Sequence, residues 1–287
     1  MTRFEINPGF SCLKEFILQL DTNFSTMGDT LKNGRNHLKI IHYRGIKLCV
    51  KSFGRPHFLN QLAYSFLRPS KAERSYNYGL RLIEMGIQTP EPIAWINYYD
   101  HNRMLQKSYY VSLFLEHDFC LGDIFDFELA DRLEVLSAFS VWVCKRVHDN
   151  GVLHKDLSGG NILIRQIASG EYSFFMIDLN RIRFRRKIGF RKRMANLRRI
   201  HGTAMCLGTI AHFYSMHYQQ NPVWSAMNIG MERLFYTKFL KTKRKIKAGL
   251  RTITGKADKK ICGPDLSASL GSQATHSQEY SMKNTAS

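Results

Sequence analysis

Two short apolar runs in the middle of the chain carry their polar residues at one end, and this pattern constrains the fold more than any other feature. The first begins Val152-Leu153, passes through His154-Lys155-Asp156-Leu157-Ser158-Gly159-Gly160-Asn161 and resumes at Ile162-Leu163-Ile164. The second runs from Tyr172 to Ile177 and stops at Asp178-Leu179-Asn180. Runs this short and this rich in β-branched and aromatic residues read as strands. Two carboxylates and an amide are therefore expected together at one end of a strand pair, on an apolar scaffold of the kind that usually carries a site. The spacing H-x-D-L-x-x-x-N, followed by an aspartate at a strand end, suits phosphoryl transfer. Asp156 would orient an acceptor hydroxyl, while Asn161 and Asp178 would hold Mg²⁺ on the phosphates of ATP. Asp and Asn also form turns through side-chain to backbone bonds, so D-x-x-x-x-N alone fits an ordinary turn equally well.

The first half of the chain supplies what such a site lacks. His37 to Gly45 and Ile46 to Phe53 read as two strands with a turn at Arg44-Gly45. Lys51 lies inside the second strand beside Cys49, Val50 and Phe53, where a lysine is costly unless its ammonium is paired. A loop over residues 55–69 precedes a helix of about four turns, with Ser70 as N-cap, Ala72, Tyr76, Leu80 and Ile83 on one face and a stop at Gly86. Glu73 in its first turn is a candidate partner for Lys51. It is equally the third member of a capping box with Ser70. Further strands are expected over TPEPIAWINYY and over MLQKSYYVSLFLE, the latter ending at Glu116, where the two halves meet and which is a candidate nucleotide contact. A phosphate-covering loop falls at MGDTLKNGRNHLKI, with Gly34 as the candidate cofactor contact and Arg35 or Asn36 as added donors. An ordinary hairpin turn fits this stretch as well.

From about Phe125 the spacing becomes helical. Leu129, Leu133, Leu136, Ser140, Val143 and Val147 share a face up to Gly151. A half-buried helix is expected over residues 196–218, and an amphipathic one from Gly230 into a basic run. The expected organisation is an α+β fold with an N-terminal lobe over 1–115, a sheet with one helix that binds ATP, then a mainly helical catalytic lobe over 116–253. A disordered tail is expected over 254–287.

Charge narrows the partner. The 287 residues hold 42 Lys and Arg against 23 Asp and Glu, a formal net charge of +19, which implies an anionic partner. From Leu179 to Met231 there is no acid, while ten Arg and Lys fall between Arg181 and Arg199. Such a one-sign block fits a phosphorylated acceptor or an anionic membrane face, and also a plain solvated surface. Zinc-finger spacing and RNP-like strands are missing, so nucleic acid is not expected. The six cysteines form no close pair and are expected as mostly buried free thiols. With no signal-peptide pattern and no long apolar run, a cytoplasmic location is expected.

The order Lys51, Glu73, H-x-D-x-x-x-x-N, Asp178 is that of the protein-kinase fold. In VKSF, SKAERSYNYGLRLIEMGIQTPEPIAWI, HKDLSGGNILI, FFMIDLNRIRF and NLRRI the chain resembles the lipopolysaccharide kinase (Kdo/WaaP) family, most of all its Bacteroidetes type, over roughly residues 20–240. The resemblance implies ATP and Mg²⁺ as cofactors. It implies as acceptor a sugar hydroxyl of the lipopolysaccharide inner core or of Kdo-lipid A, and a peripheral position at the cytoplasmic face of the inner membrane. It places Lys51 on the ATP lysine, Glu73 on its helix partner, Asp156 on the catalytic aspartate, and Asn161 and Asp178 on the metal ligands. Lys155 and Ser158 depart from the family's usual HGDLHPGN, and Asn180 stands where other kinases carry the glycine of DFG.

Overall fold

The computed structural model describes residues 1–34, 36–200 and 202–253. The first half is built on a six-stranded antiparallel sheet in the order β1-β5-β6-β4-β3-β2. Its strands are β1 (Thr2–Ile6), β2 (Asp29–Lys32), β3 (Asn36–Tyr43), β4 (Ile46–Phe53), β5 (Pro92–Tyr99) and β6 (Leu105–Leu113). Arg44 and Gly45 join β3 to β4 with φ of 49° and 77°, two successive positive values that suit the twist of a two-residue hairpin. Gly28, before β2, needs its glycine: φ is +64°, and a Cβ there would lie 2.1 Å from the Ile40 carbonyl oxygen.

One helix was expected in this half, and the structure has more. A 3₁₀ turn (Pro8–Leu13), α1 (Lys14–Leu18) and α2 (Leu20–Asn23) cover one face of the sheet, where Leu13, Phe16 and Ile17 pack with Leu48, Val50 and Ile96. Pieces of one turn are too short to show a helical period in sequence. The expected loop before the long helix contains α3 (Phe58–Leu62) and a π-helical turn, Ala63–Leu67. α4 (Lys71–Glu84) then buries Ala72 and Tyr76 against Phe53, Trp95 and Tyr110.

The second half is held by α5 (Leu129–Trp142), extended by a π-helical turn over Val143–His148. Two small antiparallel sheets lie on the same core. β7 (Phe119–Cys120), β9 (Ile162–Ala168) and β10 (Glu171–Met176) form one, and β8 (Val152–His154) with β11 (Ile182–Phe184) the other. Leu136, Phe139, Val147, Ile164, Phe174 and Met176 pack in that core together with Ile210 and Tyr214. The helix expected over 196–218 is two helices, α6 (Phe190–Leu197) and α7 (Ala204–Tyr218). They are separated by Gly202, at φ 140°, and by Thr203, whose side chain caps α7 by accepting from the Cys206 amide. α8 (Pro222–Ile253) follows.

By compactness the chain divides into Met1–Thr237 and Lys238–Ser287, and the described part of the second unit is the remainder of α8. The expected tail over 254–287 lies outside the described residues, as do Cys262 and Arg35. The five described cysteines are free: Cys144 and Cys206 are buried, Cys49 and Cys120 half-buried, and Cys12 exposed. Among the described residues no helix is long and apolar enough to cross a membrane.

Candidate active site

β9 and β10 pair with Met176 opposite Ile162, and the Ile177 amide donates to the Asn161 carbonyl at 3.0 Å. Asn161 and Asp178 therefore end the two strands side by side. Asp178 adopts a left-handed conformation, φ 58° and ψ 47°, which Asp and Asn tolerate better than other residues with a Cβ. Its Oδ1 accepts from Lys51 Nζ at 2.5 Å and from Asn180 Nδ2 at 2.8 Å. Burial alone would raise the Asp178 carboxyl, but the charge and hydrogen bond of Lys51, with Arg181 adding to them, hold the group below its ordinary range.

The loop carrying Asp156 is fixed from behind by His154. The ring is buried; its Nδ1 faces the Asp156 amide at 3.1 Å and its Nε2 the Ile177 carbonyl at 3.0 Å. Nδ1 thus accepts and Nε2–H donates, which defines a neutral tautomer. Burial lowers the affinity of His154 for a second proton in the same sense. Asn161 Nδ2 donates to the Asp156 carbonyl at 2.8 Å, closing the loop. Gly159 lets the loop touch the preceding segment, since a Cβ there would stand 2.6 Å from Gly122 Cα.

The Asp156 carboxylate carries two guanidinium groups. Arg181 Nη1 donates to Oδ2 at 2.8 Å, and Arg199 lies against Oδ1 as an ion pair without hydrogen-bond geometry. Sequence reasoning counted both arginines only as members of a one-sign block, because nothing in the spacing announces a partner 25 or 43 residues away. The position of Arg181, three residues after Asp178, was the available signal. Arg193, from the same block, is buried: it donates to the Ile188 carbonyl, Asp149 and the Tyr214 hydroxyl. The block is therefore not one continuous exposed field. Lys155 is exposed.

The remaining candidates are not gathered into this cluster. Among the described residues no ion pair joins Glu73 to Lys51; Glu73 completes the capping box, its Oε2 accepting from the Ser70 amide at 3.4 Å. Glu116, between β6 and β7, pairs with Lys47 at 2.5 Å and is largely exposed. Gly34 sits in the β2–β3 turn with open space where a Cβ would stand, so no backbone demand for glycine exists there.

A strand lysine on a strand-end aspartate, and a loop aspartate tied to an asparagine, can together bind phosphates and face an acceptor hydroxyl. The lipopolysaccharide kinase (Kdo/WaaP) family profile matches residues 57–228. The chain belongs to that family. Membership makes it a phosphotransferase and implies ATP as the phosphoryl donor. No curated protein sequence matches the kinase. Among solved structures it is similar to "WaaP in complex with acyl carrier protein", at 16% identity and TM-score 0.57, over 84% of this chain and 98% of that one. That likeness shows a shared fold, so the α+β kinase-like architecture expected from the sequence is the one observed. The Rio2 kinase of Chaetomium thermophilum, solved as an ADP/Mg²⁺-phosphoaspartate complex, matches at 14% identity and TM-score 0.44, over 77% of this chain and 67% of that one.

Proposed function

We propose that the kinase transfers the γ-phosphoryl group of ATP to a sugar hydroxyl on an anionic saccharide, the inner core of lipopolysaccharide or Kdo-lipid A. The observation that carries this reading is the pair of arginines on Asp156. A hydroxyl that reaches Asp156 must also meet Arg181 and Arg199, and guanidinium forks match carboxylate and phosphate oxygens. A serine or threonine side chain offers no such anion. Residues 1–115 serve as the ATP-side lobe, and the catalytic lobe begins at 116.

Asp156 accepts the hydroxyl proton as the new O–P bond forms and the bond from the γ-phosphorus to the β,γ-bridging oxygen breaks, releasing ADP, while Lys51 moves from Asp178 to the phosphates. Asn161 and Asp178 fit Mg²⁺, which takes hard oxygen ligands and completes its shell with phosphate and water. When bound, the ion neutralises charge on the phosphates.

Arg183, Arg185, Arg186, Lys187, Arg191 and Lys192 are exposed. In this reading they hold the kinase peripherally on the anionic cytoplasmic face of the inner membrane.

The test supplies purified kinase with ATP labelled on its γ-phosphate, Mg²⁺ and, in parallel, Kdo-lipid A, core oligosaccharide, a generic protein and RNA. Label enters a saccharide, and Lys51→Ala and Asp178→Asn lower that transfer by on the order of a hundredfold or more. Asparagine tolerates the left-handed backbone at 178, so the melting temperature holds. Label in protein with blank saccharides, or full turnover in Asp178→Asn, overturns the reading.

A further inference from the structure

The segment between β4 and α4 is built inside out. Apart from Tyr64, its buried contacts are polar: Gln61 is buried, and its Nε2 donates to the Leu105 carbonyl at 2.9 Å. Ser65 Oγ accepts from the Leu105 amide at 2.9 Å and donates to the Gln61 carbonyl at 2.7 Å. Tyr64, also buried, has Arg68 and Arg74 over its ring. The large apolar side chains face outward instead, with Phe58 69%, Leu59 78%, Phe66 57% and Leu67 81% exposed. A surface helix ordinarily turns such a stripe toward the core. Here side-chain hydrogen bonds to the start of β6 fix the segment, so the exposure belongs to its design and not to a loosely attached end.

Along the chain the flanking charge has one sign. Residues 30 to 72 contain nine Lys and Arg and not one Asp or Glu, and Arg55, His57 and Arg68 beside the apolar residues are exposed. We propose that residues 58–67 are a lipid-insertion element that seats the kinase on an anionic phospholipid leaflet. The proposal rests on the membrane reading given above and names a second contact for it. Apolar side chains bordered by Arg suit the boundary between acyl chains and anionic headgroups. Ten residues at about 1.5 Å each make a strip roughly 15 Å long. That is short for a stable protein interface, which covers about 800 Å² on each partner.

The experiment uses the full chain and vesicles of equimolar phosphatidylethanolamine and phosphatidylglycerol, with and without brominated acyl chains. Leu59→Trp adds a reporter at an exposed position, read against the wild type as blank. Its added fluorescence shifts to the blue and is quenched by the brominated lipid. Phe58→Ser, Leu59→Ser, Phe66→Ser and Leu67→Ser combined weaken vesicle binding by on the order of tenfold or more, the value carried by even one buried large apolar side chain. The melting curve holds, because all four residues are more than half exposed. Equal vesicle binding by wild type and the serine variant overturns the insertion element while leaving the arginine contact standing. Absence of vesicle binding by either protein overturns both. Self-association that the serine variant abolishes, with no quenching of Leu59→Trp, assigns the face to a second copy of the chain and also overturns the proposal.

Discussion

The loop that carries Asp156 and the Lys51–Asp178 pair are supported in different ways. Beneath the loop, hydrogen bonds run without a break from Arg193 to Asn161. Arg193 meets the Tyr214 hydroxyl at 3.2 Å, Tyr214 meets His148 Nδ1 at 2.7 Å, and His148 Nε2 meets Asn196 Oδ1 at 3.1 Å. Asn196 donates to the His154 carbonyl at 2.8 Å, and His154 holds the Asp156 amide, which leads to Asn161. Lys51 and Asp178, by contrast, meet through an ion pair between side chains 21% and 24% exposed. A buried network with every member satisfied fixes a unique geometry. A partly exposed pair on two separate elements can part when phosphates arrive. The loop is thus held by many partners, and the lysine by the one partner that the proposed reaction requires it to leave.

The largest effect that sharpens this contrast is expected at Arg193. Its side chain is 7% exposed and paired with Asp149 at 2.7 Å. Arg193→Gln leaves the buried Ile188 carbonyl and Tyr214 hydroxyl short of a donor and takes one of two cations from the partly exposed Asp149, at a cost of about 3 kcal/mol. For a chain of this size that lowers the melting temperature by on the order of 10 °C. Arg185, Arg186, Arg191 and Lys192 changed together to Gln shift it little, since exposed substitutions cost within about 0.5 kcal/mol each. Equal melting temperatures for the two proteins in a calorimetric scan would show that Arg193 carries none of the loop's support.

The parts of the molecule that were legible in sequence are those whose partners lie close along the chain. His154, Asp156 and Asn161 fall within eight residues, and the loop that joins them is the one expected. Ser70 and Glu73 are three apart, and the capping box, one of two readings open for Glu73, is the contact formed. The rest of the support depends on distant partners. His148 and Tyr214 are 66 residues apart, and Lys51 and Asp178 are 127 apart. The segment over 58–67 reads as a loop because Gln61 and Ser65 turn inward while Phe58, Leu59, Phe66 and Leu67 face out, which reverses the pattern that marks a surface helix. Charge counting failed for a related reason: Arg181, Arg193 and Arg199 look like their exposed neighbours until their partners are known.

A second effect of similar size follows from His148. Asn196 donates to the His154 carbonyl, so its Oδ1 accepts from His148 Nε2–H. His148 Nδ1 is left as the acceptor for the Tyr214 hydroxyl. Burial lowers the His148 pKa from 6.5 to about 4. Between those values the unfolded chain binds a proton that the folded one refuses. This contribution to stability is complete above pH 6.5 and is lost as the pH falls toward 4. The loss amounts to about 3 kcal/mol. Urea unfolding across that range should show the wild type weakening steeply and His148→Gln less so, with a remaining slope from His154, whose pKa burial also lowers. Parallel slopes would mean that His148 is protonated in the folded kinase and that the network is drawn with the wrong tautomer.

The smallest expected effect separates the two readings of Glu73 on the lysine's side. Ser70 Oγ accepts from the Glu73 amide at 3.1 Å, and the Glu73 carboxylate returns the contact to the Ser70 amide. Burial raises the Glu73 carboxyl above its ordinary range, while the bond from Ser70 opposes the rise. A group that caps a helix end needs an acceptor oxygen and not a charge, and glutamine serves that position as well as glutamate. Ser70→Ala is therefore expected to cost about 1 kcal/mol of stability. Glu73→Gln is expected to leave both stability and turnover near the wild type. The two measurements must be made on the same protein, because a cap and an ion-pair partner differ in which one moves. Glu73→Gln with an unchanged melting temperature but a severalfold loss of turnover would show that Glu73 leaves its cap for Lys51 once ATP is bound. The lysine's side of the site would then have a second anchor, and its contrast with the catalytic loop would narrow.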